Sequence, residues 1–143
     1  MKANELMTGD WVQVKDCIDQ SYYFDEYEPG EIVQVREILD NGINPDWAGA
    51  EVSSILGLED IQPIPITQEI LKRIGFKKDK GGEESWYSKA GWMVPNKYNR
   101  KAEPISWEVE IIGKFKSFDG VIKYVHQLQH ALQLCGIDKE IVL

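Results

Sequence analysis

The stretch that decides the fold runs from Ser106 to Gly136, SWEVEIIGKFKSFDGVIKYVHQLQHALQLCG. It opens with period-two alternation, which puts Trp107, Val109 and Ile111 on one face of a strand. It closes with a different period. Val121, Val125, Leu128, Leu132 and Cys135 recur at three and four, predicting a helix over Ile122–Cys135, with Gly136 where a C-terminal glycine belongs. Gly113 and Asp119-Gly120 read as breaks, leaving strands at Ser106–Ile112 and Lys114–Phe118. Two further strands are expected at Trp86–Lys89 and Trp92–Val94, and a short one at Lys139–Leu143. Strands followed by a helix, without βαβ alternation, give an α+β unit: an antiparallel sheet packed by a C-terminal helix.

Upstream, Thr67 has the side chain of an N-cap, Ile70, Leu71 and Ile74 form a buried stripe, and Gly75 ends the predicted helix. Lys77–Ser85, with Gly81-Gly82, reads as a polar turn or loop. The first part of the chain reads as short strands. Val12 and Val14 alternate within Asp10–Val14, and Val33 and Val35 within Glu31–Ile38. The second of these starts after Pro29-Gly30 and stops at the turn Asp40-Asn41-Gly42. A strand is expected at Ala50–Ser54, a single helical turn at Leu58–Ile61, and an extended Gln62–Ile66 whose prolines suit an edge or a linker. Short strands, tight turns and one long early loop predict an SH3-like barrel over residues 1–66, followed by the α+β domain over 67–143.

The 143 residues are 43% hydrophobic and 28% charged, enough to bury a core, with no apolar run long enough for a membrane span. The start, Met1–Leu6, lacks a signal-peptide core, and Cys17 and Cys135 offer neither metal spacing nor a disulfide framework. A soluble, reduced, cytoplasmic protein is the expectation. Charge is uneven within the net −8. Residues 1–66 carry three basic groups (Lys2, Lys15, Arg36) against fourteen acidic ones, a net of −11, while the remainder carries +3. The acidic half is a poor nucleic-acid binder, because non-specific affinity needs cations that displace counterions.

Tests for chemistry mostly fail. His126 and His130 have the spacing of a helical metal pair, but at 100° per residue they point away from the stripe that contains Cys135. Cys17 lies between Asp16 and Asp19, whose charge discourages a thiolate. No Gly-x-Ser-x-Gly elbow or phosphate-binding glycine loop is present, and Asp40–Asp46 lacks the glycine and glutamate positions of a calcium loop. The expectation is a non-enzyme that uses no cofactor or metal.

Two segments suit binding. Cys17–Gly30 sets Tyr22, Tyr23, Phe24 and Tyr27 among Asp25, Glu26 and other acids, a composition that fits a basic protein partner or, alternatively, a plug for one end of the barrel. Asn96–Lys101 offers Lys97, Tyr98, Arg100 and Lys101, a basic loop with one ring that would suit single-stranded nucleic acid. Trp86, Trp92 and Trp107 read as sheet core. The leading expectation is a protein-binding module acting through Tyr22, Tyr23, Phe24, Asp25, Glu26 and Tyr27, with the nucleic-acid reading second. A monomer or homodimer is expected, Glu140–Leu143 being able to pair with a second copy at an edge.

Three stretches together carry a family likeness: Met1–Leu6 with Gly9–Val12, Pro63–Leu71 with Gly75-Phe76, and Ile122–Gln129 with Leu132. In these the chain resembles a family of small uncharacterised proteins from gut anaerobic bacteria, their phages and mobile elements. The resemblance spans nearly the whole chain. It implies an accessory role in a phage or mobile-element setting and transfers no catalytic residue.

Overall fold

The computed structural model describes residues 1–16, 27–46, 55–81, 84–137 and 141–143. Contacts divide the chain into two units, Met1–Ile64 and Pro65–Leu143. The fold is α+β, with one antiparallel sheet in each unit.

In the first unit the strands are β1 (Trp11–Val14), β2 (Ile32–Ile38), β3 (Gly42–Asp46), β4 (Leu56–Gly57) and β5 (Ile61–Pro63), in the order β4-β3-β2-β1-β5. Among the described residues the sheet does not close, and β4 and β5 are its edges. Alternation works as expected: Val12, Val14, Val33 and Val35 are buried and join Leu6, Tyr27, Ile43, Leu56 and Ile61 in one core. A bulge between Val35 and Glu37 takes up Arg36 without moving either valine out of that core. The turn at Asp40–Gly42 is present, Leu39 N donating to Gly42 O at 2.9 Å. Glycine is required there by close approach: a Cβ on Gly42 would lie 2.3 Å from Leu56 O. In place of a helical turn at Leu58–Ile61, a hydrogen-bonded turn leads directly into β5, Asp60 N donating to Gly57 O at 3.0 Å. The strand expected at Ala50–Ser54 lies outside the described residues.

The second unit begins with α1 (Gln68–Arg73), where Thr67 Oγ1 accepts from Ile70 N at 3.2 Å and Gly75 follows the helix at φ +89°. Five strands then form a meander: β6 (Lys77–Lys78), β7 (Trp86–Ser88), β8 (Gly91–Tyr98), β9 (Pro104–Ile112) and β10 (Ser117–Ile122), each paired with the next. The last helix, α2, spans Val125–Leu134, and Gly136 follows it at φ +69°. Trp86, Met93, Trp107, Val109, Ile111 and Ile122 turn inward, and Leu71, Leu128, Leu132 and Cys135 are buried in the same unit. Trp107 Nε1 donates to Ile66 O at 3.2 Å, and Pro65 bridges Tyr124, which ties the chain entering this unit to its last strand and helix.

Several expectations are corrected here. Asp119-Gly120 is no break; the turn is at Gly113–Lys116, and Gly120 lies inside β10, where a Cβ would stand 3.0 Å from the Phe118 ring. Val121 belongs to that strand and is exposed, so it is not part of the helical stripe. Asn96–Tyr98 is the end of β8 and not a loop. Lys77-Lys78, expected in a loop, pairs with β7. Ile141–Leu143 forms no strand, while residues 138–140 lie outside the described ones.

Candidate functional site

Of the acidic-aromatic segment, Tyr22, Tyr23, Phe24, Asp25 and Glu26 lie outside the described residues. Tyr27 is described and is 3% exposed, packed in the first unit's core, so its ring is an anchor and not a contact surface. Burial of Tyr27 agrees with the alternative in which the rings fold inward, and the chain re-enters the sheet there: Gly30 N donates to Val14 O at 3.0 Å, and Val14 N to Glu31 O at 2.8 Å.

The basic segment becomes an ordered hairpin end. Asn99 N donates to Glu103 O at 2.9 Å, and its Oδ1 accepts from Lys101 N and Glu103 N. Its Nδ2 donates to the Glu103 carboxylate at 2.8 Å, and the Tyr98 hydroxyl donates to the Glu84 carboxylate. That hydrogen bond, with burial and the Glu84 charge adding to it, raises the Tyr98 pKa above its usual value of 10.0. Lys97, Arg100 and Lys101 therefore share this end with two carboxylates fixed in place, which reduces its attraction for phosphate.

The outward face of the second sheet carries the better-built surface. In register across four strands lie Tyr87, Trp92, Glu110 and Asp119. The neighbouring row is Val94, Glu108 and Val121. Trp92 is 38% exposed, contrary to its expected place in the core, and its indole N–H donates to the Glu110 carboxylate. Tyr87 and Val121 are exposed to solvent as well. The register explains the placement. Trp86 stands opposite Met93 and both point inward, so their neighbours Tyr87 and Trp92 must point outward. Sequence reasoning missed this surface, although the signal was there: the residues between the buried members of β9 are Glu108 and Glu110. Rings and carboxylates on one face suit a cationic side chain, which can lie over an indole while its charge meets a carboxylate.

At the end of the sheet, where β6, the β7–β8 turn and the β9–β10 turn meet the residues after both helices, lies a cleft of about 780 Å³. Lys77, Lys89 and Lys114 line it, together with Tyr87 and Ser88, and no carboxylate is among its described lining residues.

Among the described residues His126 and His130 belong to no group of three that could hold a metal. His126 is buried, not solvent-facing as the wheel implied, because α2 is covered over a wide arc that also takes in Gln129 and Ala131. Its ring stacks on Tyr124 (centroids 5.8 Å apart, planes at 10°) and meets the edge of His130. Cys135 is buried as expected, its thiol 3.6 Å from Ile111 O, and Cys17 lies outside the described residues. Among the described residues no group of three His, Cys, Asp or Glu could hold a metal, and no helix is long and apolar enough to cross a membrane.

Comparison of the chain with family models, with curated proteins and with solved structures finds no match.

Proposed function

We propose that the protein is a non-enzymatic, cytoplasmic protein-binding module whose outward second sheet receives a Lys/Arg-rich segment of a partner. The observation that carries this reading is the row Tyr87–Trp92–Glu110–Asp119, two exposed rings running in register into two carboxylates. Aromatic side chains supply contact area at low entropic cost, and the carboxylates select cations and repel phosphate. The phage or mobile-element setting follows from the sequence resemblance alone.

The first unit we read as SH3-like. Support comes from β1 lying between β2 and β5, from the β2–β3–β4 meander and from the turn that precedes β5. The segment between β1 and β2 joins two adjacent antiparallel strands and is far longer than the usual two to five residues of a hairpin loop. Its acids and rings, Tyr22, Tyr23, Phe24, Asp25 and Glu26, lie outside the described residues and by composition suit the same chemistry.

The test is fluorescence anisotropy with a labelled Lys/Arg-rich peptide and a Glu-rich control. The reading expects binding of the basic peptide alone, weakened by Trp92→Ala and by Glu110→Lys. Weakening by Tyr23→Ala and Asp25→Lys, with the Trp92 and Glu110 variants unaffected, would transfer the function to the first unit. Equal binding of both peptides would remove the reading altogether.

A further inference from the structure

We propose that the lysine-lined cleft at the end of the second sheet binds a phosphate monoester carried on a planar aromatic body, the chemistry of a mononucleotide. This site goes beyond the peptide surface and takes a ligand of opposite charge. Lys77, Lys89 and Lys114 come from three separate parts of the chain, β6, the β7–β8 turn and the β9–β10 turn, and converge on one cavity. All three lysines line the cleft, Lys114 with its ammonium 5.3 Å from the centre of the Phe115 ring, and with no carboxylate among the described lining residues they favour an anion, a phosphate dianion most. Ser88 Oγ accepts from Ala90 N at 3.1 Å, which leaves its own hydrogen to donate.

The remainder of the cleft is not phosphate chemistry. Ala90, Ile112 and Ile137 make its lining apolar, and the Tyr87 ring, 50% exposed, offers a stacking face. A volume of about 780 Å³ falls in the range of small-ligand sites. The ligand therefore needs an anionic head and a flat, apolar body.

Geometry also separates a free nucleotide from a single strand. A strand-binding groove spreads its cations along the path of the backbone. Here the cations gather in one cavity, and the sheet beyond Tyr87 presents Glu110 and Asp119, which would repel the next phosphate.

Isothermal titration calorimetry on the full chain tests the assignment with adenosine 5′-monophosphate, adenosine and inorganic phosphate as separate titrants. The monophosphate is expected to bind at least about tenfold more tightly than either half, as a charge-assisted contact added to stacking requires. Lys77→Gln with Lys114→Gln should weaken it about tenfold or more with an unchanged far-ultraviolet spectrum, both side chains being exposed. Lys97→Gln with Lys101→Gln, at the far hairpin end, should leave it unchanged. The assignment is overturned by absence of monophosphate binding, by equal affinity for inorganic phosphate, by indifference to the Lys77/Lys114 pair, or by tighter binding of an unphosphorylated oligothymidylate. Trp92→Ala should not alter the titration, so failure of the peptide surface and failure of this site are read separately.

Discussion

The two faces of the second sheet are made by the same strands and have opposite fates. Inward, Trp86, Met93, Trp107, Val109 and Ile111 are fully buried. Outward, Tyr87, Trp92, Val121 and Ile112 remain exposed, with Glu108, Glu110 and Asp119 interleaved. A tryptophan on the first face is a stability residue. On the second it is partly exposed, and its indole is tied to a carboxylate. The same contrast separates the two clusters of cations: three lysines line a cleft with no carboxylate among its described lining residues, whereas Lys97, Arg100 and Lys101 share their hairpin end with Glu84 and Glu103. The number of charges in a segment did not identify a site. The partners that the fold brings to them did.

The largest effect that would sharpen this contrast is Trp107→Ala. It removes a fully buried ring and the hydrogen bond to Ile66 O, and should destabilise the second unit by about 3–5 kcal/mol in urea unfolding followed by circular dichroism. A cost below about 1 kcal/mol would mean that the inner face is not the core.

A finer comparison sets the two inner tryptophans against each other. The Trp86 indole nitrogen is buried with no hydrogen-bond partner among the described residues, while that of Trp107 is bonded. Both would lose similar volume as phenylalanine, but only Trp107→Phe strands a carbonyl partner. It should cost about 0.5–1.5 kcal/mol more than Trp86→Phe in the same unfolding assay, and the reverse order would contradict the assignment.

Trp92→Ala should cost about 1–2 kcal/mol, well below Trp107→Ala, since its ring is 38% exposed and the other is fully buried. Loss of several kcal/mol would break the distinction between the faces.

The smallest effect concerns the hairpin end. The neutral Tyr98 hydroxyl donates to Glu84, so its pKa is raised, and the bond holds below pH 10 and is lost as pH climbs through the raised value. Ultraviolet titration of wild type against Tyr98→Phe should show one phenol ionising above 10, and Glu84→Gln should lower it. A Tyr98 that titrates at or below its ordinary value would contradict the contact.

Much of this fold was legible in the sequence because burial on one side leaves a period. Val12, Val14, Val33 and Val35, the Trp107–Val109–Ile111 set, the Thr67 cap and the Leu128–Leu132–Cys135 stripe are all read directly. What was missed depended on partners that one segment does not contain. Gly120 looked like a break because glycine weakens strands, yet it makes room for the Phe118 ring two residues back. His126 was placed on the solvent side by a wheel that assumed a single stripe, whereas α2 is buried over a broad arc. Trp92 was assigned to the core by composition. Its face is set by the β7–β8 register, and a shift of one residue reverses it. The cleft was invisible for the same reason, its lysines being scattered from Lys77 to Lys114.

The most direct measurement is anisotropy of the labelled Lys/Arg-rich peptide with wild type and with Glu110→Lys, whose stability is checked alongside. The account predicts saturable binding to wild type and a loss of about tenfold or more when the carboxylate beside Trp92 is reversed. Undiminished binding to a folded Glu110→Lys protein would contradict it.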